Sequence, residues 1–141
     1  MKLSLSFLLL FLLNILFAQS QTYNLTVTIT NLKNTKGQVE VGLYRTPSNF
    51  AKVGLTYLKI RTKFTGNQVT VMFKNLAVDD YGVCVYHDEN NNNQCDRNFF
   101  GLPTEPYGFS NNIRPSFSVP SFESCSVYLN KNKSISIRNS F

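Results

Sequence analysis

Two carboxylates and two amides recur at alternating places in the segment HDENNNNQCDRN. Counted from Asp88, the residues Asp88, Asn90, Asn92 and Asp96 fall at places 1, 3, 5 and 9. Oxygen ligands at every second position are what a loop needs to curl round a hard cation such as calcium. In a helix–loop–helix calcium site, place 7 adds a backbone carbonyl, here that of Gln94, and place 6 turns sharply. Asn93 stands at place 6, and asparagine comes next after glycine in tolerating left-handed backbone angles. Place 12, normally a bidentate glutamate, is Phe99, and no helical pattern flanks the segment. A helix–loop–helix site is therefore excluded. A shorter cation loop needs ligands from elsewhere, and Glu105, Asp79 and Asp80 are the candidates. The alternative is a run of turns in which Asn and Asp side chains bond their own backbone. If calcium binds, two carboxylates among neutral oxygens set a weak affinity, about 10⁻⁴–10⁻³ M.

The other reactive side chains form no catalytic set. His87 adjoins Asp88, but neighbouring strand residues point to opposite faces, and Ser110 lies in no nucleophile elbow. His87 is the single histidine and no C-x-x-C occurs, so zinc spacing is absent. Cys84, Cys95 and Cys125 allow one disulfide and one thiol in an oxidising compartment. The strand pattern favours a Cys84–Cys125 bridge. Cys84–Cys95, Cys95–Cys125 and three free thiols stay open. Phe99, Phe100, Tyr107, Phe109 and Phe117 make either an aromatic platform for a sugar, lipid or partner, or, more commonly, a satellite core beneath a long loop.

The elements that must hold these residues read as strands. In Tyr23 to Thr30, Leu25, Val27 and Ile29 share one face and threonines the other. Val39, Val41 and Leu43 alternate likewise, and the turn residues Asn31 to Gly37 predict a hairpin between the two runs. Tyr57 to Phe64 and Val69 to Phe73 follow around Gly66-Asn67. Tyr81 to Tyr86 is apolar on both faces, as a central strand must be. Periodicity lapses from His87 to Pro120, a loop long enough to suggest function or ligand stabilisation. It resumes with Cys125, Val127 and Leu129 inward, then Ile135 and Ile137. About seven short strands around one long loop predict an all-β fold, a small antiparallel β-sandwich.

The first residues, Met-Lys and an apolar run from Leu3 to Ala18, with small residues at Ala18 and Ser20, predict a signal peptide over 1–20. The run falls short of the ~20 apolar residues of a membrane span, and no stop-transfer cluster follows. Removing residues 1–20 from the 141 leaves 121, a single domain over 21–141. The expected location is secreted, extracellular or periplasmic. The formal charge of +6 becomes +5 without Lys2, and its lysines and arginines are dispersed, which argues against nucleic acid. Five of the eight acids (Asp79, Asp80, Asp88, Glu89, Asp96) lie between positions 79 and 96, where no Lys or Arg occurs. Asn24 and Asn132 head two glycosylation sequons, meaningful only in a eukaryote.

The stretch YGVCVYHDENNNNQCDRNFFGLPTEPYGFSNN resembles the signature of a secreted bacterial family, domain of unknown function 2141. Its members carry YAV-x-V-x-HDEN-x-NG-x-x-D followed by G-x-P-x-E-x-YGFSNN. The early alternating strands and Pro120-Ser121-Phe122 also fit. The resemblance implies an immunoglobulin-like or transthyretin-like sandwich and brings no activity. By position it reaches His87, Asp88, Glu89, Asn90, Asn92, Asp96, Gly101, Pro103, Glu105 and Tyr107 through Asn112. Asn93 replaces the usual glycine, and the cysteines stand where members have small or apolar residues. The expected protein is an exported, non-catalytic binding or structural surface module with a calcium-stabilised loop and a protein or glycan partner. The alternative is a small ligand carrier or enzyme using a cleft beside the 87–120 loop.

Overall fold

The computed structural model describes residues 20–140, so the expected signal peptide lies outside the described residues apart from Ser20. The first five strands are β1 (Thr22–Thr30), β2 (Gln38–Tyr44), β3 (Leu58–Thr62), β4 (Val69–Ala77) and β5 (Asp79–Asp88). After the long loop come β6 (Tyr107–Phe109), a helical turn α1 (Phe122–Cys125), β7 (Ser126–Leu129) and β8 (Lys133–Arg138). The sheets run β4-β1-β8 and β3-β2-β5-β6, with β7 also paired to β5. The molecule is the all-β sandwich that the alternation predicts. Its extra strand, β6, lies inside the stretch without periodicity, where three residues are too few to show a pattern.

Two pairings differ from expectation. β1 and β2 form no hairpin: β1 lies between β4 and β8, whereas β2 lies between β3 and β5. Both strands carry one apolar face, and the connection buries Leu32, whose N–H reaches the Asn67 carbonyl at 3.0 Å. The chain thus crosses the core, and the two faces meet instead of lying side by side. The antiparallel pattern also has an exception, since β1 and β8 are parallel from Leu25↔Lys133 to Thr30↔Arg138.

The main core lies between the sheets: Leu25, Val27 and Ile29 of β1 face Val39, Val41 and Leu43 of β2 and Tyr81, Val83 and Val85 of β5. Each such aliphatic side chain stabilises the fold by about 1.5–3 kcal/mol relative to its exposed state. β5 is buried on its other face too, where Cys84 packs against a second cluster of Tyr44, Phe50, Phe109, Phe122 and Cys125. Gly82 permits this. A Cβ there would stand 2.6 Å from the Phe50 ring. Both edges of β5 are covered, by β2 on one side and by β6 and β7 end to end on the other. The long loop therefore leaves from the most constrained strand of the molecule.

Candidate functional site

Asp88 ends β5 and is fully buried. Its Oδ1 accepts the Asn92 N–H at 3.0 Å, and its Oδ2 accepts the Asn93 N–H and Gln38 Nε2, both at 2.9 Å. Burial pushes this carboxyl up, but the Gln38 amide and the N–H groups of Asn93, Asn92 and Asn91 outweigh it and hold the pKa below its ordinary value. Asn90 Oδ1 then accepts the Asn92 N–H and Asn92 Oδ1 the Gln94 N–H, at 3.0 and 2.9 Å. Asn91 and Asn93 sit at φ 60° and 64°. The left-handed place expected at Asn93 is therefore present. These nested turns are the ones that curl a cation loop, and equally those of a loop bonded to itself.

The side chains converge on Asp96. Asn90 Nδ2 donates to its Oδ2 at 2.6 Å and Asn92 Nδ2 to its Oδ1 at 2.8 Å. Two amide groups thus stand where a cation would neutralise this carboxylate. Among the described residues, no three of His, Cys, Asp and Glu are grouped as a metal site would group them. Glu105, the expected extra ligand, does reach the loop. Its two oxygens accept the Glu89 and Asp96 N–H groups at 3.0 and 3.1 Å. Burial, partly offset by those two donors, raises its pKa. Asp79 and Asp80 do not reach it. Asp79 binds Arg45 Nε at 2.8 Å at the far end of the ten-residue strand β5, ~30 Å away.

The rest of the signature fastens the loop. His87 Nε2 meets the Lys36 carbonyl at 2.6 Å, and its ring packs edge-on against Phe64. Ser110 is buried; its Oγ accepts the Val83 N–H at 2.9 Å and lies against the Cys125 carbonyl. Asn111 Nδ2 reaches the Ser124 and Ser126 carbonyls, whereas Asn112 binds the Ser136 carbonyl and the Arg138 N–H. GFSNN is thus a pin joining β5, α1, β7 and β8. Asn24 and Asn132 bond one another across the smaller sheet, Asn132 Oδ1 accepting the Asn24 N–H at 2.8 Å.

The expected Cys84–Cys125 bridge is not made: Cys84, Cys95 and Cys125 are free thiols. Cys125 ends α1 and does not share a strand face with Leu129, which sits in the other core cluster. The β5–β7 register stops at Gly82↔Ser126, and Cys84 and Cys125 share the second apolar cluster as thiols. Burial raises the pKa of all three thiols, that of Cys95 to about 11. At pH 8, iodoacetamide should therefore label the native thiols at least tenfold more slowly than the urea-unfolded ones, since the thiolate is the nucleophile. Mass mapping without reductant should find three labelled cysteines after unfolding. A bridged Cys84–Cys125 peptide would restore the disulfide.

Beside the loop, the outer face of the larger sheet forms a groove of ≈ 500 Å³. Tyr44, Tyr86, Tyr107 and Phe109 line its floor, and Lys59, Arg61 and Arg97 its rim. Arg61 pairs with Glu40 and reaches the Asn93 carbonyl at 3.2 Å, tying the loop to β3. The loop aromatics divide. Phe109 is buried, whereas Phe99, Phe100 and Phe117 stand at 97%, 82% and 97% exposure, so they form no satellite core. Phe100 and Phe117 line a slot that shares Arg97 and Pro103 with the groove, and Phe99 packs edge-on against Phe100. The sequence places a cleft beside the 87–120 loop only as an alternative and does not name its lining, because Tyr86, Tyr107, Glu40 and Arg61 lie far apart along the chain.

A two-sheet sandwich carrying a self-bonded acidic loop pinned by a YGFSNN segment is the class that fold and site define. The chain belongs to the family described as "Uncharacterized protein conserved in bacteria (DUF2141)", whose model matches residues 27–137. Comparison with curated proteins and with solved structures gives no match.

Proposed function

We propose that this protein is an exported, non-catalytic binding module that takes a protein or glycan segment in the groove on the outer face of its larger sheet. The observation that carries this reading is the pairing of a loop closed on itself with an open groove floored by tyrosines and rimmed by arginines. Tyrosine and arginine supply large contact area and directional hydrogen bonds, the chemistry enriched at recognition surfaces. Several observations support a non-catalytic role. The groove cysteines are held as thiols, His87 is buried against Phe64, and Ser110 is spent on the backbone. The amino-terminal apolar run supports export.

Calcium enters this reading as a stiffener of the loop wall. The Asn90 and Asn92 Oδ1 atoms each accept one N–H and retain a second lone pair, and Asp96 faces both residues. A weakly held hard cation would bind here by turning the two amides, so that Oδ1 replaces Nδ2 beside Asp96. The groove is tested by probing peptide and glycan arrays with labelled protein, in calcium and in chelator. The expected result is a hit that Tyr86→Ala and Arg61→Gln each weaken at least about tenfold, the scale of one lost recognition contact. An array without hits, or a hit both variants keep, removes the groove from this role.

A further inference from the structure

We propose that the face formed by Arg97–Leu102 and Ile113–Val119 docks on an anionic phospholipid surface, with its phenylalanines in the headgroup layer and a lipid phosphate held by Arg114 and Arg138. This inference does not rest on the groove reading, although slot and groove share Arg97, Pro103, Tyr107 and Phe109.

Two adjoining features carry it. The first is apolar. Phe100, Leu102, Pro103, Phe117 and Val119 of two separate loops line one slot of ≈ 210 Å³, and Phe99 stacks edge-on against Phe100 at 5.6 Å. Single exposed apolar residues are ordinary, but several gathered from two loops into one patch mark an interaction surface. The second feature is basic. A pocket of ≈ 460 Å³ opens where β6 meets the end of β8, and Arg114 and Arg138 line it with no Asp or Glu among its described residues. Asn31, Asn112 and Ser140 add amide and hydroxyl groups.

The slot and the pocket both border Phe109 and are joined through Ile113, Arg114 and Pro115. Between Arg97 and Phe122 the sole acid is Glu105, which is buried on backbone donors. Among the described residues the face therefore offers apolar rings and positive charge with no exposed Asp or Glu, the complement of a surface that is apolar beneath an anionic rim. Aromatic side chains settle at that depth, and cations beside them are drawn to anionic headgroups. A second copy fits less well, because Arg97 and Arg114 would be brought against their own kind on chains of formal charge +6.

The test is co-sedimentation of the chain recovered after export with vesicles of phosphatidylcholine alone and of phosphatidylcholine with equimolar phosphatidylglycerol. Mass analysis confirms that wild type and every variant share one amino terminus without the apolar run of residues 3–18. Wild type should bind the anionic vesicles at least about tenfold better than the neutral ones and be released by high salt. Phe99→Ser/Phe100→Ser/Phe117→Ser should lose that binding, and Arg114→Gln/Arg138→Gln should fall to the neutral level, both with unchanged melting. The chain has no tryptophan, so Phe99→Trp provides a single fluorophore whose emission should shift to the blue on anionic vesicles only. Equal binding by wild type and variants, or no lipid preference, would overturn the proposal. So would inorganic phosphate binding without vesicle binding, or a dimer in light scattering that the phenylalanine substitutions dissociate.

Discussion

Gly37→Ala is expected to be the most damaging single-methyl change in the molecule, with a loss of more than about 4 kcal/mol. Two effects coincide there. Gly37 sits at φ +67°, where alanine is strained by about 1–2 kcal/mol. A Cβ at this position would also lie 1.8 Å from the Asp88 carbonyl oxygen and 2.7 Å from the Glu89 Cα. Both obstacles are backbone, so no rotamer relieves them. The chain must part just where Gln38 pairs with Asp88, at the root of the long loop. Gly66→Ala is the control: φ there is +82°, yet nothing lies within 4 Å. It should cost only the backbone strain. Urea unfolding of both variants separates the two effects, and near-equal losses would show that the close approach of Gly37 carries no weight.

Asp88→Ala comes next, at about 3–4 kcal/mol. It removes a buried charged acceptor and leaves the Asn92 and Asn93 N–H groups and the Gln38 amide without it. For a domain of this size the melting temperature should fall on the order of 10–20 °C. The pH dependence has a definite sign. Because the folded pKa of Asp88 is depressed, its contribution is complete above the ordinary value of 3.8 and is lost as pH falls through the folded pKa. Glu105 has a raised pKa and acts oppositely, favouring the fold below its ordinary 4.5 and losing that as pH rises through the folded value. Asp88→Ala should therefore reduce the wild-type loss at the acid end, leaving the share of Asp79, whose carboxyl burial pushes up but Arg45 and the Asp80 N–H also hold below its ordinary value. The same melts in millimolar calcium and in chelator test the cation. Wild type should gain roughly 1.4 kcal/mol at ten times Kd, and Asp96→Asn should lose that gain while melting somewhat below wild type in chelator, because one amide oxygen replaces two acceptors. If calcium leaves wild type unmoved, the loop is held by its amides alone.

What the sequence disclosed follows from where the physical signal is local. The alternation of Leu25, Val27 and Ile29 and the two-faced apolar run at Tyr81–Tyr86 are local, and both strands lie where those patterns put them. The left-handed turn at Asn93 was legible for the same reason. Pairing is not local. Nothing in Asn31–Gly37 distinguishes a hairpin turn from a crossing between sheets; in the fold Leu32 is buried and its N–H bonds the distant Asn67 carbonyl. Nor does a carboxylate announce its partner. Asp88 and Glu105 look like ligands in the sequence, yet in the fold they accept backbone N–H groups. Cys125 was placed on a strand because the alternation ran back to Phe122. Ser121, whose hydroxyl accepts the Ser124 N–H, caps a helical turn there instead.

The parallel pairing of β1 with β8 also fixes an order of events. The first strand of the described chain has one edge that stays open until the last strand arrives, with Leu25 waiting for Lys133. No amino-terminal fragment can complete the smaller sheet, so the sandwich cannot assemble progressively as the chain emerges. Closing so long a loop before its contacts form slows folding, to about milliseconds to seconds for β-rich domains of high contact order. A chain built this way stays threadable until its final residues are free. Deleting β8 should therefore leave a protein that collapses without reaching a cooperative fold.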